Sequence, residues 1–136
     1  MSRILLIEDD EQLAKNLIRF LQSEMFDVTY AAGQTDGLLA FSQQRFDCVL
    51  VDLSLLDGNG FSVCAAIRKS SDVPLIFLTA AADEACTVAG FEVGADDYIE
   101  KPYDIDIMLA KIGGIFKRRY ALDEIIDGEI RINKVS

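Results

Sequence analysis

Short apolar runs of strand length alternate along this chain with longer stretches in which apolar residues recur every three or four positions. The runs cover residues 3–7, 26–31, 47–51, 75–78 and 97–100. Residues 11–24 set Leu13, Leu17, Ile18 and Leu21 at helical spacing, and residues 59–69 do the same with Phe61, Cys64, Ala65 and Ile67. Residues 34–44, 83–93 and 103–118 supply three more helices and complete five repeats of strand and helix. Such alternation predicts an α/β fold, a doubly wound parallel sheet with helices on both faces. Cys48, Val49, Leu50 and Val51 form an unbroken apolar run, so the third strand is expected at the centre, covered on both sides. Gly113 and Gly114 each cost the last helix roughly 1 kcal/mol against Ala and predict a bend or fraying there.

After residue 119 the pattern changes. Residues 120–127 read as a linker, and the stretch 128–135 (GEIRINKV) alternates apolar and polar positions like a new strand. The expected organisation is one domain over 1–119 and an extension over 120–136, either the start of a truncated second domain or an ordered terminal segment.

Composition narrows the function. The 136 residues suit a single core that buries about two-thirds of the unfolded chain's surface, and no apolar run approaches the roughly 20 residues of a membrane helix. A formal net charge of −10 repels polyanions, so this stretch alone is not expected to hold DNA. Cys48, Cys64 and Cys86 show no CxxC spacing and follow no secretory leader, which predicts free thiols in a reducing cytoplasm. The absence of histidine excludes Ser-His-Asp and Cys-His triads, His-ligated metals and a phosphohistidine donor. Chemistry must run on carboxylates, hydroxyls and lysines.

In an open α/β sheet the ligand crevice lies beyond the carboxyl ends of the strands. The first predicted strand is followed by Glu8, Asp9, Asp10 and Glu11, the third by Asp52, the fourth by Thr79 and the fifth by Lys101. Each has an ordinary structural account taken singly; Asp10 and Glu11 are assigned to the positive end of the first helix. What those accounts leave unexplained is why acids, hydroxyl and ammonium gather at the same end of different strands. Two carboxylates about 4 Å apart repel by about 4 kcal/mol at an effective dielectric of 20, so the cluster calls for a cation. Oxygen-only ligands open to water suit Mg²⁺, with Asp9 and Asp52 as direct ligands. Such a metal would draw in a phosphoryl group, with Lys101 and Thr79 on two of its oxygens. A carboxylate can itself be the nucleophile toward phosphorus, and Asp52, alone on the central strand, is the candidate acceptor.

At these residues the sequence resembles the receiver domain of two-component response regulators. The pieces are ILLIEDD, VDLSLLDGNGF with Asp52, LTA with Thr79 and GADDYIEKPY with Lys101, covering residues 3 to about 119. The resemblance implies a flavodoxin-like (βα)5 fold of strand order 2-1-3-4-5 and transfer of a phosphoryl group from a sensor histidine kinase to Asp52, with no enzymatic role beyond the domain's own phosphorylation and slow autodephosphorylation. By position, Glu8 and Asp9 match the acidic pair, with Glu8 on the metal through water, and Ser54 offers its backbone carbonyl to Mg²⁺. Thr79 and Tyr98 match the switch pair, acting on the face of the fourth helix, fifth strand and fifth helix. A cis peptide between Lys101 and Pro102 is also implied.

GADDYIEKPY and the tail resemble the OmpR/PhoB-like branch, in which a receiver precedes a winged-helix DNA-binding domain. GEIRINKV would then be that domain's first strand. A homodimer through the switch face is implied, with Asp97 paired to Lys111 and Asp96 to Arg118 across partners, although Thr87 and Ile107 stand where a third charged pair belongs. Leu56 replaces the usual loop proline.

Three rivals remain. A nucleotide or flavin binder would need a glycine- or hydroxyl-rich loop after the first strand, where Glu-Asp-Asp-Glu stands, and Val63 breaks the GxGxxG that begins at Gly58. An aspartate-based phosphatase would want a second Asp at position 54, which is Ser. The third is a phosphorylation-independent pseudo-receiver, a folded interaction module.

Overall fold

Three unbroken apolar strands make the middle of the sheet. In the computed structural model, which describes residues 2–80 and 84–118 but not the side chains of 84–88, β1 is Arg3–Ile7, β2 Asp27–Ala31 and β3 Cys48–Asp52. Two short strands, β4 (Ser54–Leu55) and β5 (Gly58–Asn59), precede β6 (Leu75–Thr79) and β7 (Asp97–Glu100). The helices are α1 (Glu11–Ser23), α2 (Gln34–Gln43), α3 (Gly60–Arg68) and α4 (Glu84–Val93). Five strands pair in parallel in the order β2-β1-β3-β6-β7, the predicted 2-1-3-4-5 once the two short strands are set aside. β3 is central, as its run of apolar residues requires.

Side chains alternate across a strand, so one face of the sheet is Leu5, Ile7, Val49, Val51, Leu75 and Phe77, packed with Val63, Cys64 and Ile67 of α3. The chain first moves from β1 to β2 and then reverses past β1 to β3. Because parallel crossovers are right-handed, that reversal puts α1 on the opposite face from α2 and α3. The buried residues of α1, Ala14, Leu17 and Leu21, accordingly lie outside the cluster around α3. Cys48 and Cys64 are free and buried.

A fifth helix, α5, runs over 105–118 in a separate unit that begins at Tyr103. It stays helical through Gly113 and Gly114, so the expected fraying is not found. Met108, Ile112 and Ile115 recur at helical spacing along it and are buried, and burial of an apolar face outweighs the intrinsic propensity of two residues. The linker and strand expected over 120–136 lie outside the described residues.

β4 and β5 are an antiparallel hairpin that the sequence pattern did not announce. Strands of two residues are too short to show a period of two. The turn from α1 to β2 has its own irregularity: Met25 sits at φ 70, a left-handed conformation, with its side chain 67% exposed. A left-handed L-residue costs roughly 1–2 kcal/mol, and Gly costs the unfolded chain about 0.5–1 kcal/mol of extra entropy. Met25→Gly is therefore expected to stabilise the fold by roughly 0.5–1 kcal/mol in urea unfolding, with an unchanged m-value.

Candidate functional site

Parallel strands end on the same rim, and the reversal of chain direction opens a crevice between β1 and β3. Glu8 and Asp9 follow β1, Asp52 ends β3, Thr79 ends β6 and Lys101 follows β7. Carboxylate oxygens of Glu8, Asp9 and Asp52 lie within 4.8 Å of one another. With Ser54, Thr79 and Lys101 they line one open cavity of about 670 Å³. Every expected site residue but one meets there. Tyr98 stands on β7 opposite Phe77, half-buried against the core, and is not among the lining residues.

Glu8 is fully buried and Asp52 is 4% exposed. Carboxylates so placed need a cation, and Lys101 supplies it, its Nζ donating to Asp52 Oδ2 at 2.6 Å and to Glu8 Oε1 at 3.2 Å. Burial pushes the Glu8 carboxyl up to about 7, its hydrogen bond to Asp52 and the charge of Asp52 add to this, and Lys101 opposes it. Burial also disfavours the Lys101 ammonium, but the hydrogen bond to Asp52 and the charges of Glu8 and Asp52 outweigh that and raise its pKa. A single ammonium thus leaves the pocket short of positive charge. Hard oxygen donors in this state fit a divalent cation such as Mg²⁺.

The loops hold these groups by backbone contacts. The N–H of Ser54 donates to Asp52 Oδ1 at 3.0 Å, and that of Leu53 to the Leu78 carbonyl at 3.0 Å. Gly60 opens α3 so close under β3 that a Cβ there would lie 2.8 Å from the Asp52 carbonyl oxygen. The Lys101 N–H donates to the Thr79 carbonyl at 2.7 Å, and the peptide from Lys101 to Pro102 is cis. Asp10 stands at the positive end of α1, where it was expected, and is its N-cap, accepting from the Leu13 N–H at 3.1 Å.

Sequence reasoning missed two partners. The Tyr30 hydroxyl donates to the Glu8 carbonyl at 2.7 Å and so steadies the acidic turn. Burial raises the pKa of that phenol, as do the charges of Glu11, Glu8, Asp9 and Asp10. Only the register that sets Tyr30 opposite Leu6 brings it there. The second is Arg68, whose Nη2 donates to Asp96 at 3.2 Å within the same chain, beside the Leu75 N–H at 2.8 Å. The Arg68 guanidinium also donates to the carbonyls of Gly94 and Val73, so this is a local knot between α3 and the turn before β7. The side chain of Thr87 lies outside the described residues.

Residues 4–113 match the family described as "Response regulator receiver domain". The "Uncharacterized transcriptional regulatory protein YvcP" of Bacillus subtilis is 41% identical over 120 residues, covering 88% of this chain and 51% of that protein. "Response regulator ArlR" of Staphylococcus aureus is 38% identical over 134 residues, covering 98% of this chain and 61% of that protein. The chain thus spans between half and two-thirds of the length of these curated relatives. Among solved structures, a two-component response regulator from Clostridium difficile superposes with a TM-score of 0.84 at 24% identity, covering 88% of this chain and 98% of that one. Response regulator DrrB, a Thermotoga maritima OmpR/PhoB homolog, gives 0.79 at 29% identity, covering 88% of this chain and 54% of that one.

The raised pKa of Glu8 couples the site to stability. Folding lifts this carboxyl from 4.5 to about 7, so between those values the folded state binds more protons than the unfolded one. Its contribution is complete below pH 4.5 and is lost as the pH rises through about 7. Thermal unfolding in a chelator should therefore show the unsubstituted chain losing ground to Glu8→Gln between pH 4.5 and 7.5. A difference in Tm that stays constant over that range would contradict the assignment.

Proposed function

The chain belongs to the response regulator receiver domain family, and from that membership we propose that it is a phosphoacceptor whose nucleophile is Asp52. The observation that carries this reading is the buried contact of Lys101 with Asp52 and Glu8, beside Asp9 and Thr79, at the carboxyl ends of β1, β3, β6 and β7. In the proposed step an oxygen of the Asp52 carboxylate attacks the phosphorus of a phosphohistidine on a sensor kinase. The P–O bond forms as the P–N bond breaks, and the leaving imidazole takes up a proton. Mg²⁺, held by Asp9, Asp52 and the Ser54 carbonyl, with Glu8 reaching it through water, would neutralise charge on the transferred group. Lys101 exchanges its bond to Asp52 for one to a phosphoryl oxygen, which keeps its charge paired throughout. Thr79, at the end of the neighbouring strand, donates its hydroxyl to another oxygen.

Movement of Thr79 toward the phosphoryl group and of Tyr98 with it is the proposed signal. Tyr98 stands one residue before Ile99, beside β6, so β6 and β7 give a short physical route from Thr79 to the surface. On this reading the protein is not an enzyme beyond its own phosphorylation and slow autodephosphorylation. Among the described residues no helix is long and apolar enough to cross a membrane, and a cytoplasmic site is proposed, since the phosphodonor chemistry operates there. Regulation of transcription through a DNA-binding domain following residue 119 is proposed from the relatives named as transcriptional and response regulators and from the share of their length that this chain spans.

Intact mass after incubation with acetyl phosphate tests the chemistry. The expected result is a gain of one phosphoryl group that requires Mg²⁺ and disappears in Asp52→Asn. Labelling that persists in Asp52→Asn would move the acceptor elsewhere. No gain with or without Mg²⁺ would favour the phosphorylation-independent interaction module.

A further inference from the structure

The hairpin between β3 and α3 is tied to a helix that precedes it by some twenty residues. Asp57, in the turn of the hairpin, accepts from the Gln34 N–H on Oδ1 at 2.8 Å and from the Thr35 N–H on Oδ2 at 3.1 Å. These are two of the donors that the first turn of α2 leaves without helical partners, and its own N-cap residue, Gly33, has no side chain to satisfy them. The tie is reciprocal, because Gln34 Oε1 accepts from the Asn59 N–H at 3.1 Å. Asn59 in turn caps α3 through the Ser62 N–H at 2.9 Å and pairs across the hairpin with Ser54. Ser54 then bonds Asp52. A continuous set of contacts therefore runs from the first turn of α2 to the side chain of Asp52.

Leu55 anchors the base of the hairpin in the core, but nothing apolar holds the tip of its turn. Leu56, at its tip, is 91% exposed, and Asp57 is exposed as well. Two glycines permit the approach: a Cβ on Gly33 would lie 2.6 Å from Asp57 Oδ1, and one on Gly58 would overlap Gln34 Oε1. The backbone N–H groups of Thr35 and Gln34 hold the Asp57 carboxyl below the usual carboxylate range, as a charged cap should be.

We propose that Asp57 is a positioning residue that holds Ser54 over Asp52 in the arrangement that receives the divalent cation. The inference rests on the metal-assisted reading above. Its effect is separable from helix capping, because Gly33 is extended, at φ −159, and can carry a side chain once Asp57 is gone. Gly33→Ser in an Asp57→Ala background gives α2 a cap of its own while leaving the hairpin untied.

Mg²⁺ alone, titrated into the full chain and followed through the amide shifts of Asp10 and Ser54, is the probe. Asp57→Ala is expected to weaken Mg²⁺ binding by roughly tenfold, the low end for loss of a group that orients a metal ligand. Addition of Gly33→Ser should restore the Tm but not the affinity, and Asp36→Ala, which removes an exposed acid from the same turn, should leave both unchanged. Hydrogen exchange of the Ser54 amide without metal should quicken in Asp57→Ala and stay fast in the double variant. Unchanged affinity in Asp57→Ala, or affinity restored by Gly33→Ser, would overturn the proposal and leave Asp57 as a helix cap. No binding of Mg²⁺ by the unsubstituted chain would overturn the metal reading instead, and the exchange of Ser54 would then decide the clamp.

Discussion

The structure depends on one ammonium set against two buried carboxylates. Glu8 and Asp52 have almost no contact with water, and Lys101 reaches both. Charges in such a place are tolerated only when paired, so the three side chains must arrive together or the rim of the sheet is destabilised. They come from positions 8, 52 and 101, and only a parallel sheet ends their strands at the same place. The raised pKa of Glu8 shows how tightly the balance is set. In the proposed reaction a second cation would relieve it, and a phosphoryl group arriving with that cation would give Lys101 a new partner.

The rest of the molecule divides between a rigid support and polar turns. β1, β3 and β6 are apolar along nearly their whole length because both faces are covered, and they fix where the strand ends lie. The turns beyond them are steadied by individual hydrogen bonds, Tyr30 on the Glu8 carbonyl, Ser54 on Asp52 and Asp57 on α2, with Leu55 the apolar anchor of the hairpin. Such contacts hold geometry to a few tenths of an ångström and are cheap to rearrange. That combination suits the proposed phosphoacceptor site.

Much of this was legible in the sequence. The middle strands announced themselves because unbroken apolar runs have few other uses in a chain of this length, and the chemistry because unlike polar residues followed successive runs. Asp10 was assigned to the positive end of the first helix and stands there, as its N-cap. The hairpin over 54–59 was missed, since strands of two residues carry no period. Fraying at Gly113 and Gly114 was expected from propensity and is absent, since burial of Met108, Ile112 and Ile115 outweighs it. The contact of Arg68 with Asp96 was missed as well, since no local pattern links the two positions.

The resemblance to receiver domains implied the order of the strands, but the sequence by itself determined the class of fold and the set of groups available for chemistry. These follow from periodicity and from which residue types stand at strand ends, both of which are local properties. Only the tertiary structure decided how those groups share charge and who steadies them. The pKa of Glu8 depends on burial and on neighbours 44 and 93 positions away, and the caps of α2 and the acidic turn come from other elements. Electrostatic and hydrogen-bond energies depend on distance in space, and distance between remote residues is what folding creates.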